Sequence, residues 1–155
     1  MVEIPHSVVV DIHASWGKLK RVDKLGDKLG DLILDRMFEI EPQTRKFFKF
    51  AEITDKECLH KNAMFAAHAH AIVDILDCVE HILGPDLEPL EQEMERIGRR
   101  HKEYGVPTKF LPLMEKSVLW AFEELLHDDF SRAERNSWHV VFHFITDKMI
   151  DAMTH

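Results

Sequence analysis

Two histidines lie inside apolar stripes of helical spacing, and they are the residues best placed to do chemistry. Leu90, Met94, Ile97 and His101 follow one another at steps of four, three and four, so His101 points where the apolar side chains point. Its neighbours Arg99, Arg100, Lys102 and Glu103 fall on the solvent side. A second stripe runs through Phe65, His68, Ile72, Ile75 or Leu76, and Val79, with His68 inside it. His70 sits about 200° further round the helix and faces away. A neutral imidazole carries one N–H donor and one lone pair. Two of them aimed inward among Phe, Ile, Leu and Met can bracket a flat apolar cofactor with a metal centre. Two unrelated core or edge histidines would leave the same pattern, and spacing alone does not separate the two readings.

Other histidines suggest other chemistry. Glu57-x-x-His60 and Glu124-x-x-His127 have the spacing of di-metal helical bundles, which need those ligands inside a four-helix core. Here Glu57 falls in a first turn, and His127 falls at a helix end before Asp128-Asp129. Surface roles are expected, with a di-metal bundle as the alternative. His139 and His143 share a helix face but have no further ligands nearby in sequence, so solvated or flanking roles are expected.

The elements that must position these residues are helices. Val9, Ile12, Trp16 and Leu19 mark the first stripe, and Leu25, Leu29, Leu32, Ile33 and Met37 the second. A short segment follows Pro42. Thr54 and Glu57 have capping-box spacing, as do Ser131 and Glu134. The His68 helix and the His101 helix are separated by Gly84-Pro85 and Pro89, and Gly105-Val106-Pro107 ends the latter. A helix carrying Phe110, Leu113, Met114, Trp120 and Leu125 follows, then one carrying Trp138, Phe142, Ile145, Met149 and Met153. The expected fold is all-α: six long helices plus one or two short ones, in a single domain over residues 1–155. Gly30 sits in a helix interior, where glycine costs about 0.5–1 kcal/mol relative to alanine. A close helix crossing would offset that cost, and the small residues Ala66, Ala67, Ala69 and Ala71 offer a surface for it.

Composition narrows the partners. The formal charge is −8, which opposes binding to nucleic acid or to an anionic membrane surface. No apolar run is long enough to span a membrane. The start, Met1-Val2-Glu3-Ile4-Pro5, lacks the regions of a signal peptide, so a cytoplasmic location is expected. Cys58 and Cys78 are too few for a disulfide scaffold and read as ordinary thiols, with a redox-sensitive pair as the alternative.

These features together resemble the globin family over nearly the whole chain. The strongest motif is Ile97-Gly98-Arg99-Arg100-His101-Lys102-Glu103-Tyr104-Gly105-Val106, similar to the proximal segment of neuroglobin-like and flavohaemoglobin-like globins. Phe65-Ala66-Ala67-His68-Ala69-His70-Ala71-Ile72 is similar to the distal segment of cytoglobins and annelid globins. Pro42-Gln43-Thr44-Arg45-Lys46-Phe47-Phe48 places a phenylalanine six after the proline, and Trp16 matches the tryptophan usual in the first helix.

The resemblance implies a haem b cofactor held in a helical pocket. It makes His101 the proximal iron ligand, with its other nitrogen donating to a carbonyl one turn back, that of Ile97. It makes His68 the distal histidine, either a donor to bound dioxygen or a second iron ligand. It places Phe48 on the porphyrin, Leu34 and Ile72 in the ligand pocket, and Ile97, Val106, Phe110 and Leu113 on the proximal wall. Gly30 becomes the tight crossing, with Ala69 as its partner. The implied function is reversible binding of dioxygen, and of CO and NO, for storage, transport or sensing, by a monomer or homodimer. The alternative is a haem redox enzyme, such as a nitric-oxide dioxygenase, nitrite reductase or weak peroxidase, served by a cellular reductase. Ala71 departs from the family, which often carries a basic residue there to reach a haem propionate. Arg100, Lys49 and Arg45 are the replacements expected.

Overall fold

The computed structural model describes residues 3–155; the sequence reading of Met1 and Val2 lies outside them. Among the described residues there are seven α-helices and no strand. In chain order they are α1 (His6–Lys20), α2 (Leu25–Ile40), α3 (Lys56–Lys61), α4 (Ala63–Ile82), α5 (Glu88–Glu103), α6 (Pro112–Leu126) and α7 (Arg132–Thr154). Three 3-10 turns link them at Pro42–Phe47, Thr108–Phe110 and His127–Asp129. Six long helices and one short one match the expectation from periodicity. None is long and apolar enough to cross a membrane.

The main core joins stripes from α1, α2 and α4 to α7. Trp16, Phe122 and Trp138 form its aromatic centre, with ring centroids 5.0–6.4 Å apart. The two indoles are buried together with polar partners: Trp16 donates to Asp77 Oδ1 at 2.8 Å and Trp138 to Ser15 Oγ at 2.7 Å. That satisfaction makes two Trp side chains affordable in one core. A smaller second core holds Leu34, Met37, Phe38, Phe50, Leu59, Phe65 and Ala69, on the side where α2 crosses α4.

Two local expectations differ from the structure. The Thr54–Glu57 box does not form; Asp55 is the N-cap of α3, without a side-chain capping bond. Asn62 stops that helix after six residues and starts the next, accepting from the N–H groups of Met64 and Phe65 at 3.0 and 3.1 Å. Phe110 lies in the 3-10 turn before α6 rather than in α6 itself, because Pro112 occupies the first turn of that helix.

The second box forms as read. Ser131 Oγ accepts from Glu134 N–H, and Glu134 Oε1 accepts from Ser131 N–H. Glu134 is buried, and Lys18 of α1 bonds both its oxygens at 3.0 Å. Burial pushes the Glu134 pKa up, but the bonds from Ser131 and Lys18 outweigh it, so the net shift is downward. A carboxylate with a lowered folded pKa adds stability above its unfolded pKa and loses it as pH falls through the folded value. Glu134→Gln is therefore expected to cost about 1–2 kcal/mol at neutral pH. Urea unfolding should show the gap from wild type closing in acid; a gap independent of pH would contradict the ionic origin.

Candidate functional site

The site begins with His101, near the end of α5. Its Nδ1–H donates to the Ile97 carbonyl one turn back at 2.9 Å. That bond assigns the proton to Nδ1 and leaves a lone pair on Nε2, which has no protein partner among the described residues. The backbone around it is pinned. Val106 N–H returns to the His101 carbonyl at 3.1 Å, and Gly105 adopts φ +75°, the left-handed geometry that ends the helix. His101 is half-buried, with Ile97 buried beneath it.

His68 projects from α4 into the second core's aromatic residues. Its ring meets Phe48 edge-on with centroids 5.2 Å apart, and Phe50 at 5.9 Å. Phe48 and Phe50 stack on each other at 5.0 Å, and Phe50 meets Phe65 at 5.4 Å. Leu34 is fully buried in the same core, and Ile72 packs against it. His68 keeps accessible surface, yet the apolar groups around its ring desolvate it and lower its pKa. The shift favours the neutral ring.

These two imidazoles differ from most of the others. Among the described residues, His13, His60, His70, His81, His139 and His143 all lie within 4.0 Å of a carboxylate. His68 and His101 do not. A ring with no carboxylate partner keeps a nitrogen free to face a flat apolar cofactor.

The flanks of His68 explain how α4 is set. Asp27, Asp31 and Asp35 form a column on α2 at i, i+4 and i+8. His70 bonds Asp27 at 2.7 Å and His60 bonds Asp35 at 2.9 Å. Burial raises the Asp31 pKa, partly offset by His60. The helices approach closely between these ties: a Cβ on Gly30 would lie 2.5 Å from the Ala69 carbonyl oxygen. This is the crossing expected from Gly30 and Ala69.

The predicted wall residues divide. Leu34, Phe48, Ile72 and His68 gather on the α2–α4 side. Val106, Phe110 and Leu113 are half-buried and belong to neither core, leaving apolar surface near the end of α5. Phe110 meets Phe47 edge-on at 6.1 Å, a link between two 3-10 turns that spacing did not suggest. Phe50 is the principal residue missed. It belongs to the Phe47-Phe48-Lys49-Phe50 run, whose crowding of aromatics was the available signal. Gly98 was missed as a second crossing: its Cβ would lie 2.7 Å from the Met149 carbonyl oxygen on α7.

The competing metal readings do not assemble. Glu57 pairs with Lys61 on the surface, while His60 turns to Asp35 and stacks on Phe65. His139 and His143 pair with different carboxylates, Glu115 and Asp147. Cys58 is exposed and Cys78 half-exposed, both free, and both thiols have raised pKa values. Asp55 raises that of Cys58 through a hydrogen bond, and burial raises that of Cys78. Of the basic residues, Arg45 is committed to the Ala51 carbonyl and the Phe38 ring. Arg100 and Lys49 remain exposed.

The donor set suits haem: an Nε2 lone pair on His101, a neutral ring on His68, and accessible apolar side chains that a flat macrocycle would cover. An all-helical fold with this donor set defines a helical haem protein. A sequence profile of the globin family matches residues 31–149. The chain belongs to the globin family, and it is a haem-binding globin. Neuroglobin of Danio rerio is 25% identical over 123 residues, covering 77% of this chain and 76% of its own length. Neuroglobin-1 of Oncorhynchus mykiss is 26% identical over 130 residues, covering 82% and 78%. In three dimensions the fold is similar to a hexacoordinated haem protein from an anhydrobiotic tardigrade, with a TM-score of 0.85 and 19% identity over 96% of this chain and 94% of that one. It is also similar to the hexa-coordinate haemoglobin of Drosophila melanogaster, with a TM-score of 0.83 and 21% identity over 94% and 93%.

Proposed function

We propose that this globin binds haem b through His101 and reversibly binds dioxygen, CO and NO on the side of His68. The observation that carries the reading is the bond from His101 Nδ1–H to the Ile97 carbonyl. It holds the ring in the tautomer and orientation that present Nε2 as a ligand, and a hydrogen-bonded partner of this kind raises ligand basicity. When bound, haem supplies an iron centre that coordinates diatomic gases reversibly. The chain's own residues set the conditions. Phe48 would pack on the macrocycle. Leu34, Phe50 and Ile72 would exclude water from the distal side. Arg100 and Lys49 are the exposed cations available for the propionates.

His68 decides what an incoming gas meets. Its lowered pKa favours the neutral ring, and it has no polar protein partner among the described residues, so its lone pair is available for the iron. We read His68 as the second axial ligand at rest, displaced by the gas. The tardigrade and fly proteins, described as hexacoordinate, lend support to this reading. The ligand-free ferrous protein is expected to show sharp, split visible bands. His68→Leu should keep haem, replace those bands with a single broad one, and speed CO binding by about tenfold or more, since one competing ligand bond is removed. Unchanged bands in that variant would sink the assignment. Fast turnover of nitrite or nitric oxide with a cellular reductant would move the conclusion towards redox chemistry.

A further inference from the structure

Away from the haem pocket, the geometry points to a surface binding site for zinc, formed by His13 on α1 and by Asp77, Glu80 and His81 on α4. The α4 residues share one helix face. One ligand atom from each of Asp77, Glu80 and His81 lies within 4.8 Å of the others. His13 reaches the same carboxylate from the neighbouring helix. Its Nδ1 stands 2.5 Å from Glu80 Oε1, while His81 Nδ1 stands 3.4 Å from Glu80 Oε2.

Two of the groups are held in place. The Glu80 side chain is only 16% exposed. Trp16 Nε1 and Lys20 Nζ both approach Asp77 at Oδ1, at 2.8 and 3.5 Å, and Oδ2 has no partner among the described residues. An ordinary surface ion pair accounts for one histidine beside one glutamate. It does not account for imidazoles from two helices on opposite oxygens of a single carboxylate, with a second carboxylate one turn away.

Two imidazoles and two carboxylates form a zinc donor set. Tetrahedral zinc holds neighbouring nitrogen and oxygen ligands about 3.3 Å apart. The His81–Glu80 separation, 3.4 Å, is close to that value. His13 meets the group of Asp77, Glu80 and His81 only through Glu80 and stands outside its 4.8 Å limit, so its ring must turn from Glu80 towards Asp77 and His81 to complete the set, and it is accessible enough to do so. Binding would displace any proton shared between the rings and Glu80, so affinity should fall in acid. Lys20 opposes the cation through its charge. Glu80 lies twelve residues beyond His68, about 18 Å along α4, so this site is separate from the haem pocket. Zinc there would staple α1 to α4.

The test is titration of the haem-loaded, CO-saturated protein with Zn²⁺ by calorimetry at neutral pH. One saturable equivalent is expected. The double variant His13→Ala/His81→Ala and the single variant Glu80→Gln should each weaken it by about tenfold or more. Lys20→Gln should strengthen it, and His139→Ala/His143→Ala should leave it unchanged. An unchanged Soret band in every variant would show the fold and pocket intact. No saturable binding, or binding that survives loss of His13 and His81, would overturn the proposal.

Discussion

A His101→Ala variant is expected to purify nearly colourless and to bind added haemin at least about 100-fold more weakly than wild type, since even outer partners of metal ligands are worth 10–100-fold. The expectation rests on how much depends on one atom. His101 Nε2 is the only imidazole lone pair on α5, and the helix is built to present it. Nδ1 is tied to Ile97, and the chain turns sharply at Gly105, with Val106 bonded back to His101. The remaining contacts to haem would be apolar and non-directional. They favour a flat greasy group but supply no bond to iron. The apoprotein should still fold, because among the described residues the only side-chain hydrogen bond of His101 stays within its own helix. Circular dichroism should therefore remain helical while the Soret band is lost, and free imidazole should restore part of the colour by entering the space left by the ring. Retention of haem at wild-type strength would mean that another residue holds the iron.

Gly30→Ala and Gly17→Ala are expected to change stability in opposite directions. Both glycines lie inside helices, α2 and α1, where intrinsic propensity favours alanine by about 0.8–1.0 kcal/mol. At Gly17 nothing lies within 4 Å of a new Cβ, so the substitution should stabilise by roughly that amount. At Gly30 the Cβ would sit 2.5 Å from the Ala69 carbonyl oxygen and 2.7 Å from the Ala69 Cβ. The obstruction is backbone in the middle of α4, with no flexible end to move aside. Overpacking of this kind costs about 1–3 kcal/mol and exceeds the propensity gain. The consequence reaches the site, because Leu34 lies one turn after Gly30 and His68 immediately precedes Ala69. Gly30→Ala should thus lower thermal stability and also alter CO-binding kinetics, whereas Gly17→Ala should raise stability and leave them unchanged. Stabilisation by both substitutions would mean that α2 and α4 separate freely.

The parts of this protein legible in the sequence share one physical basis: periodicity. Apolar residues at steps of three and four located six long helices and placed His68 and His101 on inner faces. The Ser131–Glu134 box could be read because its two bonds are local. Local signals failed where two of them competed. Thr54 and Glu57 had the spacing of a cap, but Asn62 divides that segment into two helices and so decides its geometry. Gly98 showed no distinguishing pattern, since its reason for being glycine is α7, some fifty residues away in sequence.

His101 itself marks the boundary. Its type, its stripe and the glycine that ends its helix were present in the sequence, because an α-helix is specified by neighbours within a turn or two. The environment of His68 was not, because the rings that meet it, Phe48 and Phe50, come from the segment beyond Pro42, which packs against α4 beside the crossing at Gly30. Spacing aimed the two imidazoles inward. Only packing chose which histidines met carboxylates and which did not, since side-chain partners across helices depend on crossing angle and distance, which no single helix encodes.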